Sequence, residues 1–323
     1  MHPRVSVLMT AYNREALIAD AIESVLAQTF TDFELIIVDD ASKDRTVEIA
    51  RCYAARDPRI QVVVNERNLG DYPNRNRAAK LASGEFIKYH DSDDVMYPHC
   101  LAVMAGMLAA YPEATVALSG EWPGGPLPML LTPRMCYERE YHGRGMFGSC
   151  PASIMFRRDR FAELGYFELA GPHSDVAWWL RICKTDHVLL VPAGLYWWRL
   201  HTGQHWASPE AARDSAMMDK RVWAELDAED CPLDAAGRHL AKINWTRIQA
   251  SKIYRNLRAG EFGMAWFRYR QCGLQVQDWF RYLRRPKRDA LAGTPRNPDG
   301  SVIIPRYQEL STIKAEQAHR LSP

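Results

Sequence analysis

The stretch Val5–Asp40, VSVLMTAYNREALIADAIESVLAQTFTDFELIIVDD, decides the fold of this chain. Short runs rich in β-branched residues lie near its two ends, at Val5–Met9 and Glu34–Val38, and a helical pattern lies between them at Glu15–Gln28. Two strands joined by a helix form the βαβ unit of a parallel sheet, which helices cover on both faces. The stretch therefore predicts an α/β fold.

The same alternation continues along the chain. It predicts a helix at Thr46–Arg56 and strands at Ile60–Val64, Glu85–Tyr89, Thr115–Ser119 and Ala152–Phe156. Sheets of this kind bind ligands beyond the carboxyl ends of their strands. Polar residues that directly follow the strands are therefore the first candidates for a functional site.

The C-terminal part has a different character. Ser208-Pro209-Glu210 is typical of a helix start, and helical patterns follow it, whereas the prolines after Pro286 predict an extended tail. We therefore expect an α/β domain over residues 1–206, a helical region over 207–285 and a tail over 286–323.

Composition excludes several classes of protein. The chain has 323 residues, of which 47% are hydrophobic and 25% charged, as in globular proteins with a large core. A formal net charge of +2 provides no overall attraction for nucleic acid, so we predict no nucleic-acid partner. Seven scattered cysteines without a C-x-x-C pair, together with an N-terminus that lacks a signal-peptide pattern, predict reduced, buried thiols in a cytoplasmic protein.

Two acidic clusters follow predicted strands, at Asp39–Asp44 and at Asp91–Asp94. Adjacent carboxylates repel each other, so a cation, hydrogen bonds or solvent must compensate them. Hard oxygen ligands suit Mg²⁺ or Mn²⁺, which commonly bridge to a phosphate-bearing substrate. The alternative is a solvated turn in which Asp and Ser side chains cap the following helices.

Five motifs, taken in order, resemble those of the family 2 glycosyltransferases. They are Thr10–Glu15, Val38–Asp44, Asn68-Leu69-Gly70 with Arg75-Asn76, Ala82–Ile87 and His90–Asp94. The resemblance covers roughly Val5–His201 and implies a GT-A fold: a Rossmann-like, mostly parallel central sheet flanked by helices, here with a C-terminal helical extension. It also implies a nucleotide-sugar donor, a divalent metal (Mn²⁺ or Mg²⁺) and inversion at the anomeric carbon. The donor half would span about residues 1–94 and the acceptor half about residues 95–206.

The resemblance implies roles for single residues in the donor half. Donor contacts fall on Thr10, Tyr12, Asp39, Arg75, Asp91 and Ser92, and the metal falls on Asp93, with Asp91 as a further candidate ligand. Tyr12 would flank the nucleotide base, Asp39 would accept a hydrogen bond from a uracil-like ring edge, and Arg75 would contact the ring or the diphosphate. From the residues alone, Tyr12 could instead belong to the core, and Arg75 could cap a helix or pair with Asp71.

Two later segments extend the resemblance. Ser174-Asp175 looks like the family's E-D motif, which implies that Asp175 is the general base. Trp198–Gly203 looks like its R-x-H segment, which implies that His201 reaches the metal or the diphosphate. A zinc site of His201 with His205 is the alternative, against which the intervening Gly203 counts because it disfavours a rigid helical H-x-x-x-H.

Three positions depart from the family pattern. They are Arg77, where a small residue is frequent, Glu168, where Asp is frequent, and Ser174, where Glu is frequent. Arg77 is either a surface replacement or an additional positive contact. The serine at position 174 removes a carboxylate that would support the base.

Three other interpretations stay open. Receiver-type signalling domains also have paired acids after a strand, but after the first strand and in much shorter chains. A nucleotidyltransferase would share the sheet and the metal, but it normally has a glycine-rich phosphate loop where this chain has Thr10–Asn13. A catalytically inactive domain that binds nucleotide-sugar or glycan would keep the fold, although Asp91, Asp93 and Asp175 count against it.

Residues 262–288 combine aromatic and basic residues. Phe262, Trp266 and Tyr269 recur at helical spacing, and Arg281–Arg288 carries five basic residues and no acid. Such a segment suits an anionic membrane surface. The alternative is that its apolar face packs on the catalytic domain or on a second subunit, in a homo-oligomer.

The resemblance suggests a biological setting as well. We expect transfer of a sugar, from a UDP-sugar in the first instance, to a saccharide or lipid-linked glycan during bacterial surface polysaccharide or glycoconjugate assembly. The protein would act in the cytoplasm or at the inner face of the cell membrane.

Overall fold

The computed structural model of the chain describes residues 2–122, 126–141, 145–169, 174–201 and 209–272. The strands in these residues are β1 (Val5–Ala11), β2 (Phe33–Asp39), β3 (Ile60–Val64), β4 (Phe86–Asp91), β5 (Val95–Met96), β6 (Ala114–Gly120), β7 (Met129–Leu131), β8 (Ile154–Arg157), β9 (His187–Pro192) and β10 (Tyr196–Trp197). The α-helices are α1 (Ile18–Leu26), α2 (Thr46–Ala54), α3 (Asp71–Leu81), α4 (Cys100–Ala110), α5 (Pro133–Arg139), α6 (Arg158–Glu163), α7 (Ser174–Thr185), α8 (Pro209–Ala224), α9 (Ala235–Arg258) and α10 (Phe262–Cys272). The predicted βαβ alternation is present from β1 to β4.

Eight strands form one sheet in the order β3-β2-β1-β4-β8-β6-β9-β7. The strands β3, β2, β1 and β4 are parallel, as are β6 and β9, whereas β8 and β7 run antiparallel to their neighbours. β5 and β10 form a separate antiparallel pair. The prediction of a mostly parallel central sheet flanked by helices is confirmed.

The central strands are buried on both faces. Nearly every side chain of β1 and β2 is inaccessible to solvent, which explains why both strands are continuous apolar runs without alternation. Helix α1 packs on the core through Ile18, Ile22 and Val25, which recur at three- or four-residue spacing. These contacts hold the loops at the carboxyl ends of β1 and β2 in place.

The second half of the sheet differs from the predicted pattern. Strand β9 follows α7 after the single residue Asp186, so no turn signal separates its apolar run from the helix. Strands β5, β7 and β10 have only two or three residues each, too few for a periodic pattern. The strand predicted at Ala152–Phe156 begins at Ile154, because Pro151–Ser153 forms a 3-10 turn.

The predicted helical C-terminal region is confirmed as far as Cys272. Asp219 of α8 pairs with Lys252 of α9 (2.9 Å) and with Arg268 of α10 (3.1 Å), so one buried carboxylate joins the three helices. Trp245 of α9 packs edge-to-face on Tyr141, with ring centroids 5.6 Å apart. The boundaries at 206 and 285 stay predictions, and His205, the basic run 281–288 and the tail 286–323 lie outside the described residues.

The exposure of side chains on α10 tests the prediction for the aromatic residues Phe262 and Trp266. Phe262 is 67% exposed and Trp266 is 62% exposed, whereas Ala265 and Cys272 are buried. For these two aromatic residues, the alternative that they pack against the catalytic domain is therefore wrong. None of the helices in the described part of the chain is long and apolar enough to cross a membrane.

The seven cysteines all lie within the described ranges and are free thiols. Five of them are buried, as predicted, but Cys52 is exposed and Cys150 is half-buried. The prediction of burial is wrong for these two. Helix α2 turns Thr46 and Ala50 toward the core, which leaves Cys52 on its outer surface.

Candidate active site

Three strand ends meet at one edge of the sheet. The register places Ala11 of β1 beside Asp39 of β2, and Thr10 of β1 beside Asp91 of β4. Because parallel strands end at the same edge, the loops that follow them converge there. Three of the predicted donor residues, Thr10, Asp39 and Asp91, are thereby brought together.

The loops after β1 and β2 are joined by reciprocal hydrogen bonds. The backbone N–H of Asn13 donates to Ser42 Oγ, and that of Lys43 donates to Asn13 Oδ1, each over 2.8 Å. Asn13 has a left-handed backbone with φ 52°, which asparagine tolerates better than most residues. Tyr12 stands on this rim with 43% of its surface exposed, so the core alternative for Tyr12 is wrong. Its ring is accessible to a planar ligand.

Asp39 is fixed beneath the same rim. It is 1% exposed, and its carboxylate accepts hydrogen bonds from the backbone N–H (2.9 Å) and the hydroxyl of Ser42. The carboxylate therefore has a defined orientation at the end of β2. Its contact with a nucleotide base stays a prediction.

The other acids of the first cluster hold the backbone. Asp40 accepts hydrogen bonds from the backbone N–H groups of Leu69 (2.8 Å) and Gly70 (2.9 Å) and so anchors the loop before α3. Asp44 accepts from the N–H of Thr46 at the start of α2 (3.0 Å). Burial acts to raise the pKa of Asp44, but the hydrogen bonds from Thr46 outweigh it and lower that pKa. The turn-and-cap alternative fits Asp44, whereas Asp40 is buried and holds a loop instead of capping the helix that follows it.

Arg75 of α3 is an almost completely buried cation beside Asp91. It is 8% exposed and donates from Nε to Asp71 Oδ1 (2.8 Å) and from Nη2 to Asp91 Oδ1 (2.7 Å). Its guanidinium also lies over the ring of Tyr89, 5.6 Å from the centroid. Among the described residues, nothing accepts a hydrogen bond from its buried Nη1. A buried donor without a partner is costly, so this atom marks a place for a ligand oxygen.

The pKa values of Asp91 and Asp94 are shifted in opposite directions. Burial acts to raise the pKa of Asp91, but the charge and the hydrogen bond of Arg75 outweigh it and lower that pKa, so Asp91 is ionised. Burial and the neighbouring charge of Asp91 raise the pKa of Asp94 to about 7. Asp94 Oδ1 accepts from the backbone N–H of Arg199 at 3.1 Å. Ser92 is only 3% exposed, and its donor contact stays a prediction.

Asp93 is the carboxylate on which two distant segments converge. Its Oδ2 lies 3.2 Å from Arg14 Nε and 2.9 Å from His201 Nε2, although His201 is 108 residues farther along the chain. The contact between Asp94 and the backbone of Arg199 holds the segment that carries His201. The predicted pair Asp93 and His201 is thus close in space.

These residues fit a divalent cation whose coordination is completed by substrate. Asp93 supplies a carboxylate oxygen and His201 an imidazole nitrogen at the same place, and Mg²⁺ or Mn²⁺ is commonly held by one or two protein ligands together with phosphate oxygens. No set of three or more His, Cys, Asp or Glu residues in the described ranges could hold a metal alone. One oxygen of Asp91 is occupied by Arg75, so Asp91 as a further ligand stays a prediction.

Asp175 lies in the first turn of α7 and is half-buried. Its Oδ1 accepts from the backbone N–H of Val176 at 2.9 Å. Burial raises the pKa of Tyr72, on α3, well above its usual value, and the negative charge of Asp175 raises it further. The position of Asp175 as base stays a prediction, but the structure brings it next to the helix that carries Arg75.

The departures from the family pattern have structural explanations. Arg77 donates to Asn65 Oδ1 inside the fold, so it is not a simple surface replacement, and an additional positive contact stays a prediction. Glu168 pairs with Arg221 of α8 at 2.7 Å. Ser174 is completely buried at the start of α7.

Arg14 and Tyr72 are the candidate site residues that sequence reasoning missed. Arg14 belongs to the motif Thr10–Glu15 and follows Tyr12 by two residues. Its place in that motif could have indicated that it lies near the site. Tyr72 lies three residues before Arg75, on the same helix, but no sequence pattern indicates that the charge of Asp175 acts on it.

Comparison with known proteins places the chain in context. Residues 6–162 match the family model described as glycosyl transferase family 2. The chain is similar to the Escherichia coli protein WfgD, a UDP-Glc:alpha-D-GlcNAc-diphosphoundecaprenol beta-1,3-glucosyltransferase, with 39% identity over 104 residues, which is 32% of this chain and 40% of WfgD. The matches cover less than half of the length of such curated relatives, 13% of one and 43% of another.

Two solved structures have the same fold. The Staphylococcus aureus protein TarS 1-349, in complex with UDP-GlcNAc, has a TM-score of 0.58 and 20% identity, covering 87% of this chain and 78% of TarS. The mannosyltransferase PcManGT from Pyrobaculum calidifontis, in complex with GDP-Man and Mn²⁺, has a TM-score of 0.56 and 16% identity, covering 88% of each chain. At these identities the likeness shows the GT-A fold.

Proposed function

Because residues 6–162 belong to glycosyl transferase family 2, we propose that this protein transfers a sugar from a nucleoside-diphosphate sugar to a hydroxyl group of a saccharide or lipid-linked glycan. The observation that carries the proposal is the convergence of Arg75, Asp93 and His201 at one edge of the sheet. A UDP-sugar is the favoured donor, since the names of WfgD and of the TarS complex both contain UDP-sugars.

Recognition of the donor begins at the rim formed by the first two loops. The exposed ring of Tyr12 stacks on the nucleotide base, and the oriented carboxylate of Asp39 accepts a hydrogen bond from its edge. Thr10 and Ser92 line the same strand ends. The buried Nη1 of Arg75 donates to the diphosphate, which satisfies the one atom of this guanidinium that the fold leaves without a partner among the described residues.

Departure of the nucleoside diphosphate places negative charge at the metal-binding edge. Asp93 and His201, with Asp91 as a further candidate, would hold a Mn²⁺ or Mg²⁺ ion, which when bound acts as a Lewis acid on the phosphate oxygens. Arg14 adds positive charge from the protein, since its guanidinium already lies beside Asp93. The charge of Asp91 keeps Arg75 oriented toward the donor.

Attack on the sugar requires a base on the acceptor side. The carboxylate of Asp175 accepts the proton of the acceptor hydroxyl while the oxygen attacks the anomeric carbon and the bond to the diphosphate breaks. General base catalysis of this kind contributes about 10²–10⁴-fold. A single displacement inverts the configuration at the anomeric carbon.

Calorimetry tests the donor site directly. UDP, GDP and dTDP are titrated, each with Mn²⁺ and with a chelator, into the wild-type protein and into Asp93→Ala. We expect one nucleotide to bind in a metal-dependent manner, and we expect that dependence to be lost in the variant. Absence of binding for all three nucleotides would count against the proposed function and favour an inactive domain.

We also propose that the protein works at the inner face of the cell membrane in bacterial surface polysaccharide or glycoconjugate assembly. Exposed Phe262 and Trp266, followed by the basic residues of 281–288, support contact with anionic lipid. Flotation with anionic and neutral vesicles tests the contact, and a lack of salt-sensitive binding to the anionic vesicles would exclude it. A homo-oligomer stays a proposal, to be measured by light scattering.

A further inference from the structure

Residues 195–201, which we call the return segment, bring His201 to the candidate site. At the start of this segment β10 pairs antiparallel with β5, with Trp197 opposite Val95. His201 lies four residues beyond this pair, and its Nε2 is 2.9 Å from Asp93 Oδ2. Backbone outside a strand pair keeps much of its conformational freedom unless other contacts restrict it. Contacts between the strand pair and the imidazole therefore decide where His201 stands.

Arg199 supplies these contacts through its backbone and through its side chain. Its N–H donates to Asp94 Oδ1 at 3.1 Å, and its Nη2 donates to Asp20 Oδ2, in the first turn of α1, at 3.0 Å. Its guanidinium also lies over the ring of Trp197, 5.5 Å from the centroid. The side chain of Arg199 is 18% exposed and that of Asp20 is 60% exposed, so the ion pair is partly shielded from water.

The two consecutive carboxylates after β4 hold two different parts of the return segment. Asp94 accepts from the backbone of Arg199, and Asp93 faces the imidazole of His201. Because Asp93 and Asp94 are adjacent in the chain, the two residues that they hold are docked together. A contact that fixes Arg199 therefore also limits the positions that His201 can reach.

Helix α1 is the support on which the return segment rests. Asp20 and Ser24 lie one turn apart on α1 and so point to the same side. The hydroxyl of Ser24 accepts from the N–H of Met96 in β5 at 3.0 Å, and Gln28, just after the helix, donates to the carbonyl of Tyr97 at 2.9 Å. These contacts fix β5 to α1. The ion pair of Asp20 attaches the return segment to the same helix.

We propose that Arg199 is a positioning residue for His201 and that its side chain acts through Asp20 of α1. The inference rests on the proposed function, in which Asp93 and His201 hold a Mn²⁺ or Mg²⁺ ion together with phosphate oxygens of the donor. An anchored return segment presents the imidazole at Asp93 before the donor arrives. Less conformational entropy is then lost when the metal and the nucleotide bind.

The variant Asp20→Asn tests the anchor, because it weakens the ion pair and leaves Arg199 and His201 unchanged. Calorimetry measures the Kd of UDP, GDP and dTDP with Mn²⁺ and with a chelator. For the nucleotide that binds the wild type, we expect the Kd with Mn²⁺ to rise about threefold, as for loss of a partly exposed ion pair, and the Kd with chelator to stay unchanged. The melting temperature should stay close to wild type. A residue that only stabilises the fold would not change the ratio of the two Kd values.

The sign of the change separates anchoring from a general effect of charge. Asp20→Asn removes a negative charge, which by itself favours binding of an anionic nucleotide. A guanidinium released from Asp20 to bind phosphate directly would also strengthen binding. A Kd with Mn²⁺ that falls or stays the same would therefore overturn the proposal. Asp20→Glu keeps the charge and should bind nearly as the wild type does.

The matched control is Glu48→Gln. Glu48 pairs with Arg45 at 2.9 Å on the surface of α2, so this variant removes the same charge from another exposed ion pair. We expect both Kd values to equal those of the wild type. Equal weakening in Asp20→Asn and Glu48→Gln would overturn the specific role of the pair with Arg199.

A second measurement needs no nucleotide. Hydrogen exchange followed by NMR reports on the N–H of Arg199, which donates to Asp94. This exchange should be about threefold faster in Asp20→Asn, because the return segment opens more often. If the wild type shows no Mn²⁺-dependent nucleotide binding, the proposed function fails and the positioning role fails with it. If the wild type binds as expected but exchange and Kd are the same in Asp20→Asn, only the positioning role fails.

Discussion

At the scale of single residues, the partner of a carboxylate decides its role. Asp40 and Asp44 look in the sequence like Asp93, since all three stand in acidic runs after strands. Asp40 and Asp44 accept hydrogen bonds from backbone N–H groups and hold loops, whereas Asp93 faces the side chains of Arg14 and His201. Only the last arrangement leaves a carboxylate beside groups that can receive a metal or phosphate.

The base assignment is tested by Asp175→Asn, which keeps the size of the side chain and removes its ability to accept a proton. We expect sugar transfer to fall at least about 100-fold and nucleotide affinity to stay unchanged, since general base catalysis is lost while donor contacts persist. Initial rates with the preferred nucleotide-sugar and calorimetry measure the two effects. Glu168→Gln is the control, because it makes the same chemical change in a carboxylate that pairs with Arg221. Full transfer by Asp175→Asn would show that another group is the base.

At the scale of elements, the residue before β4 lies very close to the backbone of β1, and this contact positions the two strands. Gly84 precedes β4, and a β-carbon added there would lie 2.7 Å from the backbone nitrogen of Ser6 at the start of β1. The hydroxyl of Ser6 also accepts from the N–H of Gly84 at 2.8 Å. The absence of a side chain at Gly84 therefore sets the entry of β4 beside β1.

Gly84→Ala should lower the stability of the fold. The backbone of β1 cannot move away without disturbing the sheet, so we expect a cost of about 1–3 kcal/mol, as for overpacking of a core. Gly106→Ala in α4 is the control, because a β-carbon there meets nothing within 4 Å, and alanine favours a helix over glycine by about 1 kcal/mol. Urea unfolding of both variants is the measurement. Equal stability of the two variants would contradict the steric argument.

A buried ion pair joins α6 to the segment between α7 and β9. Asp186 is 8% exposed and accepts from Arg160 Nε (2.8 Å), Arg160 Nη2 (2.9 Å) and the hydroxyl of Thr115 (2.8 Å). Burial acts to raise the pKa of Asp186, but the hydrogen bonds of Arg160, Thr185 and Thr115 outweigh it and lower that pKa. A carboxyl with a lowered pKa stabilises the native state above its unfolded pKa of 3.8, and this contribution is lost as the pH falls through the native value.

Arg160→Met should therefore destabilise the protein at pH 7 by about 1–3 kcal/mol, because it leaves a buried carboxylate short of a donor. The difference from wild type should persist down to about pH 4 and shrink as the pH falls below 3.8, because protonation of Asp186 then removes the contribution of the ion pair. Urea unfolding at several pH values measures the trend. Arg45→Met, which removes a surface pair with Glu48, should have little effect at any pH. A penalty for Arg160→Met that is independent of pH would contradict the assignment to Asp186.

At the scale of the whole molecule, the C-terminal helices pack on residues of the predicted acceptor half. Tyr141 is completely buried, packs on Trp245 of α9 and donates its hydroxyl to the carbonyl of Val222 in α8. Lys184 of α7 pairs with Glu225 at 2.7 Å, and both side chains are largely buried. The helix that begins at Ser174 and carries Asp175 is thus supported from outside the α/β domain.

This support predicts the behaviour of truncated proteins. A chain of residues 1–206 should show no cooperative thermal unfolding, because it would expose Tyr141 and leave Lys184 without Glu225, whereas residues 1–285 should unfold cooperatively. Differential scanning calorimetry of the two proteins makes the comparison. If residues 1–206 melt cooperatively near the temperature of the longer protein, the boundary at 206 marks an independent domain.

The sequence by itself determined the first four strands of this protein. Strands β1 to β4 are predicted to within a few residues, since parallel strands buried on both faces are apolar runs and Asp, Ser, Asn and Gly mark the turns between them. These are local signals, and the order of motifs built on them sufficed to indicate the family. Short β5, β7 and β10 give no such signal.

Only the tertiary structure decided which of the polar residues act together. His201 meets Asp93 across 108 residues of chain, and the side chain of Asn76 on α3 is hydrogen-bonded to both backbone groups of Phe167. Such contacts depend on how the elements pack in the fold. The packing of distant elements produces no periodic pattern in a single sequence. The physical reason is that a hydrogen bond acts over about 3 Å of space, whatever the separation along the chain.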